Sequence, residues 1–211
     1  MTRVLVLSPH PDDEAIGCGG TLRAHAVAGA AVHAVFLTSG ERGGHGRSPE
    51  ETAALREDEA RAAARVLGLA GAEFWREPDG ALRASAGCVA RLRARIRELR
   101  PSVMYVTHDR EMHPDHRAAA RLAARALRGI TPRKLRPETF MYEVWTPLQR
   151  LEHIVDITAH ADVKRAAIRA HRSQCDVMSF DEAALGLNRY RGELHCWPEG
   201  EYAEVFARLA P

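Results

Sequence analysis

Two short loops carry the side chains that could do chemistry. The first loop, residues 8–22, follows the apolar run 4–7 and holds one imidazole and three consecutive carboxylates. The second loop, residues 108–116, follows the apolar run 103–107 and holds three imidazoles. Each loop opens a segment with helical periodicity. Because a parallel sheet binds ligands beyond the carboxyl ends of its strands, we predict that both loops line one active site.

Together the two loops supply the donors of a catalytic metal site. Two imidazoles and one carboxylate with an open fourth position are a typical donor set for catalytic zinc. His10 and Asp13 lie three residues apart across the turn into the first helix, so both can reach one ion. His116 reaches the same ion from the second loop. We therefore predict that His10, Asp13 and His116 bind Zn²⁺, with Fe²⁺ or another divalent ion as the alternative.

The neighbouring side chains suit the hydrolysis of an amide. Asp12 is a free carboxylate beside the predicted metal and can act as general base on a metal-bound water. His113 can stabilise an oxyanion, polarise a carbonyl or protonate a leaving amine, and Asp115 can hold the His113 ring in place. Taken singly, each of these residues could equally be a helix cap. The occurrence of both sets after buried strands favours catalysis.

The order of the predicted elements indicates one α/β domain over residues 1–211. We expect a Rossmann-like fold with a mostly parallel sheet flanked by helices and the active site at the C-terminal ends of the strands. The predicted strands cover about 3–8, 31–38, 73–75, 103–107, 140–145 and 154–157. The predicted helices cover about 13–29, 48–67, 85–100, 114–128, 160–172 and 200–209. Arg56 in the second helix could point towards the first loop, or could pair with Glu59 on the helix surface.

Composition narrows the class of protein. A net charge of +2 in 211 residues gives no reason to expect nucleic acid or an acidic membrane as a partner. No apolar run approaches the roughly 20 residues that span a bilayer. The sequence has no signal peptide and no C-x-x-C pair among its four cysteines, so we expect a cytoplasmic protein with reduced thiols.

Several motifs occur together along the chain. The most specific are P-H-P-D-D-E followed by G-C-G-G-T-L in the first loop, and H-P-D-H in the second. The supporting motifs are T-S-G-E at 38–41, R-x-x-E-x-x-x-A-A-x-x-L-G at 56–68, P-D-G at 78–80, Y-E-V-W at 142–145 and K-x-x-A-I-x-A-H-x-S-Q at 164–174. With these motifs the chain resembles the LmbE-like, or PIG-L, family of metal-dependent de-N-acetylases over most of its length.

The resemblance implies the same roles for the six residues of the two loops. It also implies that three further side chains bind sugar hydroxyls, namely Arg56, Glu41 and Asp79. An arginine fork suits vicinal hydroxyls. The motif residues His171 and Gln174 are interpreted as structural or interfacial.

The sequence departs from the family pattern at one position of the second loop. Some relatives have a tyrosine two residues before the first histidine of H-P-D-H, and Glu111 stands there in this chain. Tyr142 and Tyr202 are weak substitutes for that tyrosine. The source of any additional oxyanion or product-release group is therefore left open.

The resemblance implies a zinc-dependent deacetylase. Its substrate would be an N-acetylglucosamine-type amino sugar or conjugate, and its products acetate and a free amine. Two rival hypotheses remain from the residues alone. One is a non-haem Fe(II) enzyme that uses the same two imidazoles and one carboxylate. The other is a non-catalytic sugar-binding protein on the same fold. Assembly into a homo-oligomer is left open.

Overall fold

The computed structural model describes residues 2–210, which form one seven-stranded sheet and seven α-helices. The strands are β1 Arg3–Ser8, β2 Ala31–Phe36, β3 Gly71–Phe74, β4 Val103–Thr107, β5 Glu138–Tyr142, β6 His153–Asp156 and β7 Ala203–Arg208. The helices are α1 Asp13–Val27, α2 Pro49–Leu67, α3 Ala86–Leu99, α4 Pro114–Arg128, α5 Ala161–Ala170, α6 Arg172–Cys175 and α7 Phe180–His195.

The strands lie in the order β3-β2-β1-β4-β5-β7-β6. The first five run parallel, and β7 is antiparallel to both of its neighbours. Leu7 of β1 pairs with Val106 of β4, so these two strands end at the same edge. Between them the strand order reverses, which is where open α/β sheets bind ligands. The predicted α/β fold with a mostly parallel sheet is confirmed.

Helices cover both faces of the sheet. On one face α3 and α4 pack their apolar stripes together, with Leu92 and Leu122 fully buried between them. On the other face lie α1, α2, α5 and α7. Among residues 2–210 no helix is both long enough and apolar enough to cross a membrane.

Close packing fixes the position of the N-terminal half of α1. A Cβ atom at Gly17 would lie 2.2 Å from the ring of Tyr142 in β5, so only glycine permits this approach. The helix kinks at Cys18, whose φ of −144° is not helical. Beyond the kink, the N–H of Gly20 donates to the carboxylate of Glu204 in β7 at 2.9 Å. The start of α1 is thereby held against the sheet.

The C-terminal part of the chain differs from the prediction. The helix predicted over 200–209 is wrong, because Ala203–Arg208 form the strand β7. Five of its six residues are buried, so the segment shows no period of two that would mark a strand. The helix α7 escapes prediction because it buries Asp181, Asn188 and Arg191 on its inner side. Strand β5 ends at Tyr142, three residues before the predicted end.

Candidate active site

The loops after β1 and β4 meet, as the sequence predicts, at the carboxyl edge of the sheet. They border an open cleft of about 460 Å³. His10, Asp12, Asp13 and His113 contribute to its wall. His116 lies just beneath them and is fully buried.

The three predicted metal ligands lie in contact with one another. Oδ2 of Asp13 is 3.1 Å from Nδ1 of His10 and 3.2 Å from Nε2 of His116. The same Asp13 oxygen accepts a hydrogen bond from the backbone N–H of His10 at 2.9 Å. Asp13 thus lies between the two imidazoles. The two histidines lower its carboxyl pKa far below the ordinary value, against the effect of burial.

His116 has the environment of a metal ligand. Its ring is 0% exposed, and neither ring nitrogen makes a hydrogen bond of good geometry. Burial opposes a charge on this ring, yet the neighbouring carboxylate of Asp13 raises the pKa of His116 to about 9. A site that favours a proton so strongly also favours a bound cation. The buried and unsatisfied imidazole beside an ionised carboxylate therefore fits a divalent ion.

Glu111 supports His116 from the opposite side. Its Oε2 is 3.6 Å from Nδ1 of His116, and its Oε1 accepts hydrogen bonds from three successive backbone N–H groups, those of Val144, Trp145 and Thr146. The carboxylate is buried. A carboxylate behind a metal-binding histidine fixes the orientation of the ring and raises its basicity. The sequence marks Glu111 only as a departure from the family pattern and does not predict this role.

Other combinations of donors are also close enough to hold an ion. Ligand atoms of His10, His113 and His116 lie within 4.8 Å of one another, and so do ligand atoms of His10, Asp79 and Asp115. His10 belongs to both groups. Since His10 also contacts Asp13, it is shared by all of these donor combinations.

Asp12 is held in a strained conformation. Its φ is +129°, a value that side-chain-bearing residues rarely adopt, and such strain persists where the surrounding structure enforces it. The Asp12 carboxylate does not cap α1, which excludes the helix-cap interpretation. Instead Oδ2 of Asp12 accepts a hydrogen bond from Nη2 of Arg56 at 3.0 Å. Burial raises the pKa of Asp12 to about 6, against the lowering effect of Arg56.

Arg56 points into the cleft, as the sequence suggests. Besides Asp12 it donates to the carbonyl oxygens of Pro11 at 2.7 Å and Gly40 at 3.0 Å. The alternative ion pair with Glu59 does not form, because Glu59 accepts hydrogen bonds from Ser173. Arg56 is buried, so its guanidinium links the loops that follow β1 and β2.

The relationship between His113 and Asp115 differs from the prediction. The carboxylate of Asp115 accepts hydrogen bonds from the N–H groups of Gly80 and Leu82 and lies 3.3 Å from Nε2 of His10. Only its backbone N–H contacts His113, donating to Nδ1 at 3.3 Å. The His113 ring thereby caps the N-terminus of α4, so the helix-cap interpretation holds for this residue, and Asp115 orients the ring through its backbone N–H.

Asp79 lies in the cleft wall, whereas Glu41 lies behind it. Oδ1 of Asp79 is 3.1 Å from Nε2 of His10, and its Oδ2 accepts the N–H of Arg42. Glu41 accepts the N–H of Asp79 at 2.8 Å and does not line the cleft. Glu41 is thus placed to position Asp79 rather than to touch a ligand.

The remaining motif residues divide between wall and core. Gln174 lines the cleft and donates to the carbonyl of Gly43 at 3.1 Å. His171 is buried, and burial lowers its pKa to about 3. The hydroxyl of Tyr142 donates to the carbonyl of Leu7, and the ring of Tyr202 lies under the guanidinium of Arg189. Neither tyrosine lines the cleft.

The chain is similar in sequence to a family of known proteins. The family model described as GlcNAc-PI de-N-acetylase, PIG-L, matches residues 5–127, which is more than half of the chain and includes both loops. The chain belongs to the PIG-L family. A curated relative from Thermomonospora curvata is 32% identical over 84% of this chain and 82% of its own length, and it is named 1D-myo-inositol 2-acetamido-2-deoxy-alpha-D-glucopyranoside deacetylase.

Two solved structures show how the PIG-L fold of this chain compares with its neighbours. The N,N'-diacetylchitobiose deacetylase of Pyrococcus horikoshii is 27% identical, with a TM-score of 0.86 over 98% of this chain and 83% of the other. GalB of Pseudomonas putida, a 4-carboxy-2-hydroxymuconate hydratase, is 26% identical, with a TM-score of 0.87 over 100% and 97% of the two chains. The same fold is therefore found with two different reactions.

Proposed function

We propose that this chain is a zinc-dependent de-N-acetylase that hydrolyses the acetamide of an N-acetylglucosamine-type sugar or conjugate. The observation that carries the proposal is the position of Asp12, a carboxylate that pairs with Arg56 through one oxygen and lies in the same cleft wall as His10 and Asp13. The curated relatives that match most of the chain, such as that of Thermomonospora curvata, are named deacetylases of acetamido sugars.

His10, Asp13 and His116 would hold the ion. His113 is less suited as a ligand, because its Nδ1 accepts the N–H of Asp115 and its proton therefore lies on Nε2. Such a protonated nitrogen donates a hydrogen bond and has no free lone pair. A divalent ion bound here would acidify a coordinated water and polarise the acyl carbonyl.

The side chains of the cleft have separate roles in proton transfer and hydrogen bonding. Asp12 takes the proton of the attacking water, since a carboxyl group with a pKa of about 6 is ionised at neutral pH yet basic enough to accept it. Arg56 keeps Asp12 directed into the cleft. His113 donates Nε2–H to the developing oxyanion, which is the largest electrostatic contribution to many acyl transfers. Burial lowers the pKa of His113, so that its ring is neutral at neutral pH.

The experiment is an assay for released amine on a panel of N-acetylglucosamine conjugates with zinc present. We expect at least one conjugate to release stoichiometric acetate and free amine. Metal removal by a chelator should abolish turnover, and added zinc should restore it. Oxygen consumption with added Fe²⁺ and no amide hydrolysis would favour the oxygenase hypothesis. Sugar binding without turnover of any N-acetyl sugar would favour the binding-protein hypothesis.

The likeness to GalB supports a second candidate, the addition of water to an unsaturated carboxylate. Arg42 and Arg56 both line the cleft and supply the cations that such a substrate requires. The deacetylase is preferred, because the curated relatives reach 32% identity. Loss of the absorbance of a conjugated dienoic acid, with no acetate released from any sugar, would favour the hydratase.

A further inference from the structure

An apolar pocket adjoins the polar cleft. It has a volume of about 100 Å³ and shares Ile16, Trp145 and Phe180 with the cleft wall. The rings of Trp145 and Phe180 meet edge to face at 5.5 Å between centroids. Part of a bound substrate that extends from the metal site past these two rings therefore reaches the pocket directly.

The walls of this pocket are mainly apolar. Val144, Met178, Ala183 and Leu187 line it together with the three shared residues. Of the two polar side chains in the wall, Glu143 is held by Arg191 and by the N–H of Leu148. Nδ2 of Asn188 donates to the carbonyl of Ala203, whereas its buried Oδ1 makes no hydrogen bond.

The strand order places this pocket opposite the polar side of the cleft. Arg42 and Asp79 follow β2 and β3 on one side of the metal site, whereas Val144 and Trp145 follow β5 on the other side. The metal site lies between them, after β1 and β4. An amide bound there with its sugar towards Arg42 and Asp79 must direct its acyl group towards β5.

We propose that this pocket binds the acyl chain of the substrate, so that the enzyme also hydrolyses N-acyl groups longer than acetyl. The inference rests on the proposed amide hydrolysis. A cavity on the order of 150 Å³ accepts benzene, so about 100 Å³ accepts a chain of a few carbon atoms. In the reaction, the oxygen of water bonds to the acyl carbon, the C–N bond breaks, the nitrogen gains the proton that Asp12 took from the water, and the new carboxylic acid releases its remaining proton to solvent. The products are a short-chain carboxylate and the amino sugar.

The first test compares N-acetyl, N-propionyl, N-butyryl and N-hexanoyl glucosamine, each as the free sugar and as the benzyl glycoside. We expect kcat/KM to rise by up to about fourfold for each methylene that the pocket buries, and then to fall at hexanoyl. The free carboxylates give a second measurement, and butyrate should inhibit more strongly than acetate. A steady fall in kcat/KM from acetyl onwards would overturn the inference and leave the deacetylase proposal intact.

Two other outcomes are equally decisive. A gain that follows the benzyl glycoside and not the acyl chain would assign the pocket to the aglycone and overturn the inference. Hydrolysis of no member of the series would contradict the proposed function, and the acyl pocket with it.

A variant tests the pocket itself. Ala183 is exposed on α7, so Ala183→Phe can narrow the pocket without disturbing the core. We expect the ratio of butyryl to acetyl kcat/KM to fall about tenfold. Glu193→Phe, an exposed position nearly three turns further along the same helix, is the matched control and should leave the ratio unchanged. An unaltered ratio in a folded Ala183→Phe protein would contradict the assignment.

Discussion

The guanidinium of Arg56 lies 3.0 Å from the carboxylate of Asp12, and both groups are almost completely buried. Asp12 is paired through one oxygen and still lines the open cleft. Arg56 therefore favours the ionised form of Asp12 and holds its carboxylate towards the cleft, while one carboxylate oxygen stays free to accept a proton. This arrangement suits a base that must accept a proton and release it in each cycle.

Asp12→Asn should abolish most of the turnover and leave the metal in place. An amide of the same shape can keep the contact with Arg56 through its oxygen, but it cannot accept the proton of water. We expect kcat to fall by about 10²–10⁴. Metal content by mass spectrometry should stay near wild type, whereas His116→Ala should lose both metal and turnover. Metal retained at wild-type affinity in the His116→Ala protein would contradict the proposed ligand set.

Arg56→Lys should lower kcat/KM by at least about tenfold. A lysine ammonium cannot reach Asp12 and the carbonyl of Gly40 at once, whereas the arginine fork contacts both. Steady-state kinetics on the best amide substrate measures the change. Arg61→Lys, on the exposed side of the same helix, is the control and should stay within about twofold of wild type. Equal kinetics of the two variants would remove Arg56 from the catalytic arrangement.

The residues that follow β1 and β4 could be predicted from sequence because each set is local. Val4–Leu7 is apolar without interruption, and His10 and Asp13 follow it within six residues. The local pattern therefore predicts both the strand and the polar loop. The start of α2, which positions Arg56, depends on a local pattern as well, since Ser48 and Glu51 form a capping box at the predicted first residue of the helix.

The rest of the site depends on contacts between distant segments. Trp145 and Phe180 meet only because β5 ends early and α7, whose apolar pattern is weak, packs beside it. Asp115 faces His10 instead of its neighbour His113, because the turn at Gly80 supplies N–H donors that the sequence does not show. Residue types alone cannot choose between such partners.

Glu111→Gln should weaken metal binding. The carboxylate orients His116 on one side and holds three backbone N–H groups on the other, and an amide would turn its NH₂ group towards one of these two sides. Loss of a carboxylate behind a metal-binding histidine typically costs 10–100-fold in affinity, so we expect a change of about that size. Zinc titration by calorimetry measures it. Glu138 lies at the exposed first residue of β5, far from the residues after β5 that Glu111 contacts. Glu138→Gln therefore serves as the control and should leave the zinc affinity unchanged.

Acid should weaken the fold partly through Glu57. Hydrogen bonds from Arg76, Ser39 and Arg61 lower the pKa of Glu57 to about 2 in the folded protein, whereas the unfolded value is ordinary. As the pH falls, Glu57 therefore binds a proton in the unfolded chain before it does so in the folded protein. The contribution of Glu57 to the free energy of unfolding is complete above about pH 5 and is lost as the pH falls towards 2. Because Arg76 is exposed and screened, we expect about 1–2 kcal/mol. The free energy of unfolding, measured with urea between pH 3 and 7, should depend less steeply on pH for Glu57→Gln than for wild type.

Lys164→Met should destabilise the protein strongly. Nζ of Lys164 lies 2.6 Å from Oε1 of Glu204, and both side chains are fully buried. Without the lysine, Glu204 would keep a buried charge with only the N–H groups of Gly20 and Thr21 as partners. Removing one partner of a buried ion pair typically costs about 3–5 kcal/mol. We expect a loss of that size in the free energy of unfolding, measured with urea at pH 7. Arg165 lies next to Lys164 on α5, and Arg165→Met, which breaks its solvent-exposed pair with Glu182 of α7, should change the free energy of unfolding by less than about 1 kcal/mol. Equal effects of the two substitutions would mean that Glu204 is neutralised by a proton in the folded protein and that Lys164 contributes little to holding α1 on β7.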